Sequence, residues 1–176
     1  MMGLNELLTQ EMEHTYEVTR RLFRRVDPGQ LGWKPEIGTN WMTVAQLMMH
    51  CCSACGVGMR AFVTDDWGLP EGVDIKDLPP EEMLPPAEKL PAVESVEQAL
   101  QLLAEDHRVA VRTLAEVPEP ELFGRRFSAP WGSAELTLFQ HLLHMIGHLD
   151  QHKGQLFYYL KLLGQDVKTY DLWGDV

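Results

Sequence analysis

One stretch decides how this chain folds: Thr137-Leu138-Phe139-Gln140-His141-Leu142-Leu143-His144-Met145-Ile146-Gly147-His148-Leu149-Asp150-Gln151-His152-Lys153-Gly154-Gln155-Leu156, running on to Leu163-Gly164. Thr137 with Gln140 three residues later has the form of a capping box. Gly164 stands where a helix ends in a left-handed residue. Between them a helix over Leu138–Leu163 is predicted. A helix advances about 100° per residue, so His144, His148 and His152 share a face that drifts by about 40° per step. His148 and His152, at i and i+4, project from successive turns. Two neutral imidazoles so placed can hold one divalent metal at about 2.0–2.1 Å. Leu149 follows His148, so the helical zinc-protease motif, which needs Glu there as general base, is absent. Asp150 lies about 200° round the helix from His148 and should point away.

Two ligands on one helix require a third from elsewhere. Working back along the chain, the third helix starts at Ser95, with Gln98 as capping partner. Val96, Leu100, Leu103, His107, Ala110, Leu114 and Val117 form its stripe, and Pro118 and Pro120 end it. Phe127 to Trp131 reads as extended. The second helix runs from about Val44 to Val63 behind Thr43 and is apolar nearly all round, hence buried. The first runs from about Leu4 to Val26 on the stripe Leu8, Met12, Thr15, Thr19, Leu22, with acids early and Arg20, Arg21, Arg24 and Arg25 late, as its dipole favours. Asp27-Pro28-Gly29 stops it. His50 is the leading third ligand, because it sits in a helix with no charged residue from Gln46 to Met59, where a buried imidazole needs a partner. His107, which interrupts the third stripe, is the runner-up. His14 reads as surface, and His141 and His144 as outer groups behind the ligands or as a solvated face. Three histidines leave a coordination position open, the mark of a catalytic rather than structural site.

Four long helices with little strand give an all-α four-helix bundle, one domain over residues 1–176. A long crossover loop at 65–94 joins helices two and three, which lets those two run parallel. That loop holds nine acids, two lysines and six of the eleven prolines. The net charge of −11 therefore divides into −7 there and −4 over the other 146 residues. Pro79-Pro80 and Pro85-Pro86 bar a long helix. The crossing leaves the helix that carries His50, which puts it at the mouth of the proposed site. The acidic balance excludes a nucleic-acid role built on global charge and argues against adhesion to an anionic membrane. The uncharged run Ile37–Met59 is too polar to span a bilayer. Cys51, Cys52 and Cys55, an odd number in five residues, read as free thiols packed in a helix, in a cytoplasmic protein.

The run His148 to Leu156, followed by Tyr159-Leu160 and Leu163-Gly164, resembles the last helix of the DinB/YfiT-like superfamily. Trp41 and Thr43 to His50 resemble the start of that family's second helix. The resemblance implies an up-down-down-up bundle, usually a homodimer, with zinc or nickel held by His50, His148 and His152. It also implies chemistry on a small-molecule substrate, either thiol-dependent S-transfer using a low-molecular-weight thiol or hydrolysis. Many members carry Arg where Lys153 stands, so an anion-binding role there is in doubt. Trp41, Trp131 and Tyr159 are candidate walls for a substrate, and His144 a candidate partner behind the ligands. A non-catalytic metal-binding or stress-response dimer is the alternative.

Overall fold

The computed structural model describes residues 3–174. Helix α1 spans Leu4–Phe23 and buries Leu8, Met12, Thr15, Tyr16, Thr19 and Leu22. It stops three residues short of Val26, whose N–H instead closes a turn onto the Phe23 carbonyl. Helix α7 spans Leu138–Leu162. Its capping box is complete: Thr137 Oγ1 accepts from Gln140 N, and Gln140 accepts from Thr137 N. Helix α5 spans Val96–Glu116, but its box is only half made. Ser95 Oγ accepts from Gln98 N, while the Gln98 side chain reaches past Ser95 to Glu94 N.

The expected second helix is two helices. A full capping box of Thr43 and Gln46 opens α2, Val44–Cys51. The chain turns through residues 52–55, and α3, Gly56–Thr64, restarts with a bend of 42°. No proline causes the break. Its cause lies on α5, where Asp106, 2% exposed, accepts from the backbone N–H groups of Gly56 (3.0 Å) and Val57 (2.8 Å). The first turn of a helix has N–H groups with no internal partner. Cys55 supplies no cap from its side chain, and a buried carboxylate from another helix does so instead. The approach is close: a Cβ on Gly56 would meet the Asp106 carbonyl oxygen at 2.0 Å.

Contacts at the helix ends fix the relative directions. Leu4 and Asn5, opening α1, bond to Glu119 and Val117 beyond the end of α5, so these helices run antiparallel. Arg25 and Gln30, past the end of α1, bond to Asp166 and Gln165, past the end of α7, so these run parallel. Along α2 and α3, Met42 meets Tyr159, His50 meets His148, and Phe62 meets His141, so α7 is antiparallel to that pair. Cys52 bonds to Ala99 and Gly56 to Asp106, so α5 runs parallel to it. One core of buried Leu, Met, Val, Phe and Cys draws on all of these helices.

The rest is short. Between α3 and α5 lie 3-10 turns at Ile75–Asp77 and Ala87–Lys89 and a single helical turn, α4, Pro80–Met83. Helix α6, Glu119–Gly124, starts directly after Pro118. It leads to a hairpin of β1 (Arg126–Ser128) with β2 (Glu135–Thr137), Phe127 opposite Leu136. Of the stretch read as extended, only Phe127 and Ser128 are strand. A short helix absent from the sequence reading, α8 at Thr169–Trp173, folds back onto α1 and α7. Among the described residues no single helix is long and apolar enough to cross a membrane.

Candidate metal centre

The side of α7 that faces α2 and α3 is read off its contacts. His141 stacks on Phe62, Met145 lies against Gly58, His148 meets Ala54 and His50, His152 faces His50, and Tyr159 reaches Met42. Seven residues are close to two helical turns, so His141, His148 and Tyr159 belong to one stripe with His152. His144 lies outside it and is exposed.

Antiparallel packing brings His50 of α2 against His148 and His152. The Nε2 atoms of His50 and His148 stand 3.1 Å apart. One ligand nitrogen from each of the three rings fits within a 4.8 Å span. The ring centroids are separated by 4.4 Å (His50–His152), 4.9 Å (His148–His152) and 5.0 Å (His50–His148).

Hydrogen bonds behind two of the rings orient them. His148 Nδ1 lies 3.2 Å from the Ala54 carbonyl in the break between α2 and α3. A carbonyl only accepts, so Nδ1 carries the proton and the Nε2 lone pair faces inward. Three residues orient His152. Met42's carbonyl accepts from the Tyr159 hydroxyl (3.2 Å), whose oxygen therefore accepts from Gln155 Nε2 (3.1 Å). That turns Gln155 Oε1 toward His152 Nδ1 (3.1 Å), which donates and leaves its Nε2 free. Burial lowers the proton affinity of all three imidazoles. His50, which also feels His152 and His148, falls to about 4. The set is thus neutral near pH 7, with lone pairs of at least two rings converging and their outer nitrogens already bonded. That donor chemistry suits a divalent metal ion that takes imidazole ligands. His50, His148 and His152 are the residues that would hold it.

The other sequence candidates fall elsewhere. Gln155 and the Ala54 carbonyl stand behind His152 and His148; His144 makes neither of these bonds. Tyr159 is buried, with its hydroxyl taken up by Met42 and Gln155, and Trp41 packs edge-on to it at 6.3 Å. Trp131 sits past the opposite end of the cluster, against Phe62 and Trp67, and with His141, His144 and Met145 it borders a cavity of about 260 Å³. At about 1.5 Å per residue, His141 and Tyr159 each stand about 10 Å along α7 from the nearer of His148 and His152. The three aromatic candidates are therefore not gathered into one wall.

His107 packs against the Tyr16 ring, and its Nε2 lies 2.9 Å from a Glu13 carboxylate oxygen. Lys153 is buried, and its ammonium contacts Asp150 (2.6 Å) and the Leu172 carbonyl (2.9 Å), so it ties down α8. Asp150 accordingly points away from the histidines. All three cysteines are buried and unpaired. Burial, with Asp106 nearby, pushes Cys52 and Cys55 up to about 12, so they stay protonated thiols. The crossover docks on α2 through Gln46, whose amide bonds the carbonyls of Ala87 and Leu90, one helical turn before His50.

Sequence reasoning missed Gln155, the Ala54 carbonyl and Asp106. Gln155 had a signal, since it lies three residues after His152 and so on a neighbouring part of the helix surface. The other two had none, because both depend on a helix break imposed from α5.

A family model described as the DinB superfamily matches residues 11–156. Among solved structures, a conserved protein from Enterococcus faecalis is similar at a TM-score of 0.65 and 18% identity, over 94% of this chain and 100% of that one. No curated protein matches significantly.

Proposed function

The chain belongs to the DinB superfamily, and on that premise we propose that it is a divalent-metal-dependent enzyme acting on a small molecule at His50, His148 and His152. The observation that carries this reading is the convergence of three neutral imidazoles, two with their outer nitrogens bonded, at a span one ion can bridge. The scaffold is an up-down-down-up four-helix bundle over one domain, with its second helix in two pieces, and the pairwise helix directions support that reading. A zinc or nickel ion held there supplies Lewis acidity, lowering the proton affinity of a bound low-molecular-weight thiol or of water for S-transfer or hydrolysis. The chain's own part is to hold the donors neutral, fix their tautomers through Ala54 and Gln155, and keep bulk water from their outer nitrogens. Trp131 and His144, beside the 260 Å³ cavity, are where a substrate's apolar part would rest.

The protein is further proposed to be a cytoplasmic homodimer; the unpaired, buried thiols support a reducing compartment.

Protein purified without a His tag is expected to carry about one zinc or nickel per chain, lost in His148→Ala. Absence of stoichiometric metal from the wild type would overturn the proposal. One observation favours the non-catalytic alternative: among the described residues no carboxylate belongs to the ligand cluster to act as a base. Turnover of a chlorinated or epoxide electrophile with a thiol, lost with chelator and restored by metal, decides for the enzyme.

A further inference from the structure

A polar group outside the histidine cluster is buried in the core. Asp106 of α5 is 2% exposed and accepts three bonds: from the Tyr16 hydroxyl of α1 at 2.6 Å, from Gly56 N at 3.0 Å and from Val57 N at 2.8 Å. Gly56 N also lies 3.1 Å from the Tyr16 oxygen. Tyr16 is fully buried. A carboxylate in a core costs free energy unless its partners are in place, and here the partners are a phenol and the first two N–H groups of α3. What this clamp fixes is the place where α3 begins. The residues just before it are the turn at 52–55, and from that turn the Ala54 carbonyl faces His148 Nδ1.

We propose that Asp106, held by Tyr16, is a positioning residue for the metal centre: by anchoring the start of α3 it aims the Ala54 carbonyl at His148 and so sets the tautomer that presents Nε2 to a metal. The chain of causes runs from α1 and α5 through the helix break to α7. A continuous helix would direct the carbonyl of residue 54 along its own axis to residue 58, leaving His148 Nδ1 without that partner. The bend therefore has a use beyond packing, and Gly56 is required because α5 comes so near. The proposal rests on His148 being a ligand, but its first measurement needs no metal.

In metal-free, untagged protein, long-range ¹H–¹⁵N correlation of the imidazoles reports which nitrogen of each ring is protonated, with His148→Ala giving the assignment. The wild type is expected to show His148 protonated at Nδ1. Tyr16→Phe and Asp106→Asn are expected to keep helical circular dichroism, to move His148 toward the Nε2-protonated form, and to weaken Co²⁺ binding about tenfold, as loss of groups behind a ligand does. Thr137→Ala, which removes a cap at the far end of α7, is expected to lower stability with neither effect. An unchanged His148 tautomer and Co²⁺ affinity in a folded variant of the clamp overturns the proposal, as does an equal change in Thr137→Ala. If Asp106→Asn fails to fold, Tyr16→Phe decides. A wild type that binds no Co²⁺, while its His148 tautomer still follows the clamp, refutes the metal reading and leaves the positioning role standing.

Discussion

At the scale of single residues, the histidines are poised by what stands behind them. Each is harder to protonate folded than unfolded, because burial disfavours the imidazolium. The unfolded chain therefore takes up these protons first on acidification. The neutral histidines' share of stability is complete above pH 6.5 and is lost as the pH falls from there toward about 4, the value His50 reaches. Metal-free protein should lose stability over that window, and His50→Leu should flatten the slope, with a share at His50 on the order of 1–2 kcal/mol after discounting its partial exposure. Urea midpoints at pH 7 and pH 5 measure this. Tyr159→Phe removes the hydroxyl that orients Gln155. It should leave the fold intact and weaken metal binding by about tenfold, read by competition with a chromogenic chelator.

At the scale of elements, the interruption of the second helix is the decisive feature. Gly56→Ala sets a methyl group 2.0 Å from a backbone oxygen of α5. Neither backbone has room to yield cheaply, so the expected loss is about 2 kcal/mol or more, seen as a lower urea midpoint. The crossover is also an element in two parts. Its later end is tied down, by Gln46 to the Ala87 and Leu90 carbonyls, by Asn40 to Ala87 N, and by Val93 N to the Ala45 carbonyl. Gln46 also completes the cap of α2. Gln46→Ala should therefore cost about 1–2 kcal/mol and speed proteolytic cleavage within residues 79–90, followed by mass spectrometry.

At the scale of the whole molecule, the acidity and the site are related by topology. Most of the net negative charge sits in residues 65–94, and this segment returns to the bundle one turn before His50. Its acids lie on the path back from α3 to α5. The rest of the chain is nearly balanced and packs by apolar burial. Lys153 illustrates how that packing redirects a charge: its ammonium fastens α8 to α7 and is not available as an anion-binding group at the histidine cluster.

Much of this was legible along the chain. The caps at Thr43, Ser95 and Thr137, the prolines after α5 and Gly164 after α7 mark helix limits by local chemistry, and local chemistry is what a sequence displays. The pairing of His148 with His152 follows from helical period, and His50 from an imidazole set in an uncharged helix. The break in the second helix was not legible, because Cys52-Ser53-Ala54-Cys55 contains no breaker; Asp106, fifty residues beyond Gly56, decides it by competing for backbone N–H groups. The choice of Gln155 rather than His144 as the partner of His152 was likewise settled by which side of α7 meets α2, and so was the separation of Trp41 and Tyr159 from Trp131. Periodicity gives relative angles around a helix but not the direction from which a neighbour approaches. The sequence by itself singled out His50, His148 and His152 and the helices that carry them, whereas only the tertiary structure decided how the three rings are aimed, because aiming depends on partners from other helices.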